Sequence, residues 1–336
     1  MSFLPPDPSS ARDARSRRPA RLDALDEPED AAVVVRDLAV ELPSDERPYA
    51  APIQAVRDLS FTVPAGQVTA IVGTNGAGKT TTLRALSGAV PFSDGSIEVL
   101  GTSLGPATVG LPDGVAIVPD APAYPARWTA RHVARAYSST ARHFDRARFD
   151  AYLVEHRVPA GRSVGGLSRG QLTRLAVAAA LAHDPRLLIL DEPLARLDPL
   201  ARTGMVDNLR ALMAREDRTI LLSTHDLDGM DRFVDHLVVV AHGQNVLEGD
   251  VETLREEFLL LEQASAETGA DGESIASPLI GAVTTGGTTR ALVHLEEAAG
   301  LPPGADLRRP GLSDLVTHWL RAATVSRRPT PREDAA

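Results

Sequence analysis

One lysine stands among the 35 basic residues of this 336-residue chain, and it is Lys79. It lies in Gly73-Thr74-Asn75-Gly76-Ala77-Gly78-Lys79-Thr80, which satisfies the pattern G-x-x-x-x-G-K-[ST] at every fixed position. The chemistry this implies is anion binding. The glycines let backbone N–H groups turn inward around phosphate oxygens, and the helix that follows adds its positive N-terminal end. A lysine amine is a compact point charge that reaches between β- and γ-phosphates, where the wide fork of a guanidinium would not fit. Thr80 offers a hydroxyl to Mg²⁺, and Thr81 leads the loop into the helix. The octapeptide therefore predicts a site for a nucleoside triphosphate.

A second group of residues could work on that ligand. Leu187-Leu188-Ile189-Leu190-Asp191-Glu192-Pro193 reads as a buried strand that ends in two adjacent acids. Consecutive side chains leave a strand in different directions. Asp191 can therefore serve Mg²⁺, directly or through water, while Glu192 polarises a water for attack on the γ-phosphate. Pro193 stops the strand. His225, after Ile220-Leu221-Leu222-Ser223-Thr224, stands at the end of another strand, where it can bond the γ-phosphate or the attacking water.

These groups need elements to position them. Gln67 to Val72 reads as a strand before the loop, and Thr81 to Leu86 as a helix after it. Short apolar runs at 33–35, 59–63, 97–100, 115–118, 187–190, 220–222 and 237–240 read as strands, several of them without alternation and so covered on both faces. Residues from about 120 to 182 read as helical, and Leu172 to Leu181 is rich in Ala and Leu. The fold class expected is α/β, with a mixed β-sheet core, a helical subdomain and a small α+β extension at the C-terminus.

Composition excludes several classes. No cysteine is present, so disulfides, thiolate metal sites and cysteine nucleophiles are ruled out. The formal charge of −10 argues against a protein that coats nucleic acid, and no nucleic-acid partner is expected. The longest apolar stretch outside the strands, Leu175 to Ala182, is far short of the roughly 20 residues that span a bilayer, so a membrane role would run through a partner chain. Residues 1–30 read as a disordered cytosolic tail with a modest arginine cluster, without the apolar segment of a secretory signal.

Leu167-Ser168-Arg169-Gly170-Gln171, before the acidic strand, resembles the LSGGQ signature of the ATP-binding cassette (ABC) ATPases. The other stations follow in order: Leu197-Asp198 resembles the D-loop, and His225 the switch histidine. The likeness covers roughly residues 31 to 257 and implies a P-loop NTPase cassette. It implies ATP and Mg²⁺ as ligands, with ATP sandwiched between two cassettes. Ser168, Gly170 and Gln171 of one copy would then face the Gly76, Gly78 and Lys79 of the other, and a homodimer is expected. Arg169 replaces the usual glycine. Tyr49 resembles the aromatic residue that stacks on adenine, although Ala50 to Gln54 displaces it, and a loop-packing role stays open. The family's usual glutamine after strand 115–118 is absent. Pro119-Asp120 stands there, and Asp120 either reaches the metal through water or marks a slower, differently coupled site.

Six of the thirteen aromatic residues, Tyr124, Trp128, Tyr137, Phe144, Phe149 and Tyr152, cluster in the helical region. They either build its small core or, for Tyr124 and Trp128, line a groove for a helix of a membrane subunit. Residues 258–322 read as a linker, from about 263 to 277, and an accessory unit with a hairpin around Gly286-Gly287 and a helix over 312–322; residues 323–336 read as a disordered tail. The function this resemblance implies is an energy-coupling ATPase of an ABC transporter, most like ABC-2 exporters, driving a separate multi-spanning membrane subunit. It would be cytoplasmic and peripheral on the inner face of the membrane. Two other readings stay open: a soluble mechanical ATPase acting on a cytosolic assembly, against which the single cassette and acidic charge weigh, and a nucleotide-sensing regulatory subunit, for which Asp120 is the only support.

Overall fold

The computed structural model describes residues 30–43, 51–106, 108–140, 143–195, 197–215, 217–227, 229–264, 279–301 and 305–325. Tyr49, nearly all of the N-terminal tail, most of the expected linker and residues 326–336 lie outside them. The chain begins with β1 (Ala31–Leu42), β2 (Ile53–Pro64), β3 (Val68–Val72), α1 (Lys79–Leu86), β4 (Asp94–Val99), β5 (Thr102–Leu104) and β6 (Val115–Val118). A helical region follows, with α2 (Ala130–Thr140), α3 (Arg146–Glu155) and α4 (Arg169–Ala182). Then come β7 (Leu187–Asp191), α5 (Pro199–Met213), β8 (Thr219–Thr224), β9 (His236–Ala241), β10 (Gln244–Asp250) and α6 (Val251–Glu257). The last elements are β11 (Phe258–Ala264), β12 (Ile280–Thr285), β13 (Thr288–His294), β14 (Asp306–Arg308) and α7 (Leu312–Val325).

The central sheet runs β10-β9-β3-β8-β7-β6, parallel except for the edge strand β10. Every residue of β3, β7, β8 and β9 is buried, as their unbroken apolar runs predict. The period of two then divides them between two cores. Ile71, Ile189, Leu221 and Val238 pack with Leu83 and Leu86 of α1 and with an antiparallel sheet ordered β2-β1-β4-β5. Ala70, Leu188, Leu190, Leu222 and Val239 face the helices instead. The apolar runs at 33–35, 59–63 and 97–100 thus belong to a second sheet rather than to the central one.

Helix α4 is buried at eight consecutive positions, Leu175 to Ala182. A helix apolar all round must be enclosed, and this one packs against β6, α2 and α3. Phe149 and Tyr152 of α3 fill the same core, and the Phe144 ring stacks on Tyr137 with centroids 6.2 Å apart. Tyr124 and Trp128 are half-buried against it. Asp184, just before β7, ties the layers together: it accepts hydrogen bonds from Arg148 of α3 at 2.8 Å, Arg215 after α5 at 2.6 Å and Arg218 before β8 at 2.8 Å. Burial alone would raise this carboxyl, but the Arg148 hydrogen bond and the charges of Arg218 and Arg215 hold it below the ordinary carboxylate value.

The C-terminal part forms a third, antiparallel sheet, β12-β13-β11-β14. Its hairpin turns at Gly286-Gly287, both with positive φ (59° and 80°), the backbone that a two-residue loop requires. Residues 258–264, for which the sequence suggests no element, form a strand that reaches the first two residues of the expected linker. Phe258 to Ala264 is an inner strand, paired with β13 on one side and β14 on the other. Its Phe-Leu-Leu-Leu run directly abuts α6, so no turn signal separates strand from helix in the sequence. Helix α7 continues to Val325, past the expected end at 322. Its Leu312, Leu315 and Val316 belong to one buried cluster with Met230, Phe233 and Val234. Asp231 Oδ1 accepts from the Leu312 amide at 3.3 Å and from Arg255 at 3.1 Å.

Two outcomes follow from this packing. Leu315→Ala, at a fully buried position, is expected to lower stability by about 2–5 kcal/mol in denaturant unfolding of the whole chain, within one transition; a separate early transition would show that the accessory unit folds alone. Because the Asp184 value is lowered on folding, its contribution is complete above about pH 3.9, the unfolded value, and is lost as pH falls through the lower folded value. Asp184→Asn should therefore flatten the acid limb of stability below about pH 4, read as unfolding free energy against pH.

Candidate nucleotide site

The phosphate loop leaves the end of β3, and the other candidate residues leave the strands beside it. Val72 is in register with Thr224 of β8, and Ser223 with Asp191 of β7. Gly73, His225 and Glu192 therefore emerge at one edge of a parallel sheet, where ligands of open α/β sheets bind. Gly73 is forced by its neighbour: a Cβ there would lie 2.2 Å from the Val240 carbonyl oxygen. Gly78 has φ +104°, and a Cβ would meet the Ala55 carbonyl oxygen at 2.7 Å. Backbone geometry and close approach both demand glycine there.

Asp191 is buried, and its Oδ1 accepts from the Thr80 hydroxyl at 3.1 Å and from Ser223 Oγ at 2.7 Å. Ser223 Oγ in turn accepts from the Glu192 amide at 3.0 Å. Glu192 has φ +50°, a left-handed backbone uncommon outside glycine that costs about 1–2 kcal/mol. That turn sends its side chain to the cleft while Asp191 stays behind. Glu192 Oε2 lies 2.8 Å from His225 Nδ1, and Oε1 lies 3.5 Å from Lys79 Nζ. A carboxylate can only accept, so Nδ1 carries the hydrogen. The Lys79 amine also donates to the carbonyls of Gly73 at 2.8 Å and Thr74 at 3.3 Å.

Asn75, Gly76, Ala77, Gly78, Lys79, Thr80, Thr81, Asp120, Glu192 and His225 line one cleft of about 730 Å³. Ile53, Gln54, Ala55, Arg57 and His242 line it too. Arg57 and His242 escape sequence reasoning, since neither lies in a motif. The second has one local signal, the tight His242-Gly243 turn between β9 and β10, with φ +54° and +79°. Ser223 escaped as well, since a serine within a strand announces no role until its partners are placed.

The signature and D-loop residues do not line this cleft. Ser168 caps α4, accepting from the Gln171 amide at 3.2 Å while its own amide donates to Gln171 Oε1 at 3.0 Å. This capping box fixes Ser168, Gly170 and Gln171 at a helix N-terminus. Asp198 caps α5 by accepting from the Ala201 amide at 2.9 Å. Ser168, Gly170, Gln171 and Asp198 thus lie outside the cleft that the phosphate loop, Glu192 and His225 line within one chain.

A family model described as "ABC transporter" matches residues 56–195. The "Aliphatic sulfonates import ATP-binding protein SsuB 2" of Agrobacterium fabrum (strain C58 / ATCC 33970) is 35% identical over 206 residues, 60% of this chain and 76% of that protein. The chain belongs to the ABC transporter family. The "Nod factor export ATP-binding protein I" of Sinorhizobium fredii (strain NBRC 101917 / NGR234) is 36% identical over 231 residues. That alignment covers 66% of this cassette-bearing chain and slightly under two thirds, 65%, of the relative. Among solved structures, an "ATP binding subunit of ABC transporter" aligns with a TM-score of 0.56 at 26% identity, over 67% of this chain and 92% of that one.

The oxygens near Asp191 suit Mg²⁺. Thr80 offers a hydroxyl and Asp191 a buried carboxylate, and no group of three or more His, Cys, Asp or Glu side chains able to hold a metal exists among the described residues. A cation that keeps waters and takes one or two protein oxygens plus phosphate fits that set. Gly78→Ala is expected to weaken ATP binding by at least about tenfold, since the strained loop loses its inward N–H groups, as read by titration calorimetry, with the fold retained by circular dichroism.

Proposed function

We propose that this chain hydrolyses ATP to drive an exporter whose membrane-spanning subunit is a separate chain. The observation that carries the hydrolytic part of this reading is the convergence of Lys79, Glu192 and His225 on one cleft, and the transport part rests on the relatives. In the proposed mechanism, loop amides and Lys79 hold the β- and γ-phosphates, while Thr80, Asp191 and, through water, Asp120 would hold Mg²⁺, which would supply charge neutralisation on the phosphates. Glu192 accepts a proton from the attacking water, and His225 holds Glu192 and the γ-phosphate end in register. Bound ATP would displace the Lys79 amine from the Gly73 and Thr74 carbonyls.

Ser168, Gly170, Gln171 and Asp198 complete the site in a second copy. Their place outside their own cleft supports a sandwich of two cassettes, with hydrolysis coupled to dimer formation. No helix among the described residues is long and apolar enough to cross a membrane, which fits attachment through a partner on the inner face. Tyr124 and Trp128, half-buried and adjoining the helical core, would contribute to the groove for that partner. Export is taken from the Nod factor export relative, and the sulfonate import relative keeps import as the second reading. Tyr49 is assigned to the adenine ring on the resemblance alone.

Steady-state hydrolysis beside gel filtration in Mg-ATP tests this. Glu192→Gln is expected to lower turnover by about 100-fold or more while retaining ATP and running as a dimer. Parental turnover in this variant would remove Glu192 as the base. Recovery of a multi-spanning protein from detergent extracts would support the transporter, whereas a ribosomal or DNA partner would favour the mechanical reading.

A further inference from the structure

His225 is one of the more exposed members of the site, its side chain 46% accessible, yet it holds a 2.8 Å bond to Glu192. Something outside the cleft must fix it. Thr224 Oγ1 donates to the Asp226 carbonyl at 2.8 Å and accepts from the Asp226 amide at 3.0 Å, so His225 sits at the apex of a hydroxyl-closed turn. Arg202 grips the far side of that turn. Its Nη1 donates to Asp226 Oδ2 at 2.9 Å and its Nη2 to the Asp226 carbonyl at 3.4 Å. The Arg202 Nε is buried and makes no hydrogen bond, so among the described residues the guanidinium spends its directed bonds on Asp226.

Arg202 lies in the first turn of α5, and its amide donates to the Asp198 carbonyl at 2.8 Å. The helix begins with Pro199 and Leu200, the latter an apolar side chain 84% exposed beside Asp198. A short continuous series therefore runs from that surface through Arg202 and Asp226 to His225 and Glu192. Helices move as rigid units, so a shift at the start of α5 shifts the guanidinium and with it the turn. We propose that Arg202 is a positioning residue for His225, carrying the state of the exposed start of α5 to the hydrolytic end of the cleft. This rests on the proposed ATPase reading, in which the second cassette docks on that same end of α5.

The direct readout is the His225 ring. In full-length protein with ¹⁵N-labelled histidine, assigned by loss of one signal in His225→Ala, Arg202→Met is expected to move the His225 ring resonances, while ATP affinity stays within about twofold of the parent. Asp226→Asn, which keeps the side-chain shape, is expected to move them the same way and serves if the Met variant folds poorly. Turnover in Arg202→Met is expected to fall by about tenfold with KM for ATP unchanged. Unmoved His225 resonances in both variants would overturn the proposal whatever the turnover, as would a rise in KM at constant kcat. Failure of the underlying reading looks different, because the parent and Glu192→Gln would then hydrolyse ATP alike.

Discussion

The carboxylate of Asp191 is the point through which the site is assembled. Buried at the end of β7, it accepts the Thr80 hydroxyl from the phosphate loop and the Ser223 hydroxyl from the neighbouring strand. A buried carboxylate is costly unless its oxygens are satisfied, so these donors must be where they are. The strand order meets that requirement. Only β8 lies between β3 and β7, and only residues at its C-terminal end can bring Ser223 beside Asp191 and His225 beside Glu192. The left-handed turn at Glu192 then separates two adjacent acids by role, one kept inside and one delivered to the cleft.

Much of this is legible in the sequence because the local chemistry is stringent. A glycine at φ +104° beside a carbonyl, a lysine at the loop's end and two acids after an apolar strand admit few other readings. The strands of the central sheet are legible for the same reason, since burial on both faces erases alternation. What is not legible arises from convergence. Nothing in Asp184 or its surroundings announces that arginines at 148, 215 and 218 will meet there, and Arg57 and His242 reach the cleft from segments without any motif. Strand β11 is hidden because Phe258-Leu259-Leu260-Leu261 follows a helix without a break.

The accessory sheet is bound to the cassette more closely than a linker-joined appendage would be. Its helix α7 shares a buried cluster with the segment between His225 and β9, and Asp231 of that segment caps onto α7. Within the unit, the Gly281 backbone lies so close to the His318 carbonyl that a Cβ there would overlap it, and His318 Nδ1 faces the Gly281 carbonyl at 2.8 Å. Hairpin and helix are thereby held as one body. The unit meets the cassette at the 230–234 segment and, through α7, at β9 and β10, the strands whose turn carries His242 to the cleft.

The solitary lysine has a further consequence. Its side-chain amine is only 6% exposed and folded onto the loop carbonyls. Every acylation, Schiff-base or isopeptide reaction that seeks a lysine on this chain has a single address, and that address is the phosphate cradle itself. The surface is thus blank to lysine-directed chemistry, and a reagent that does find Lys79 reports on the opening of the loop.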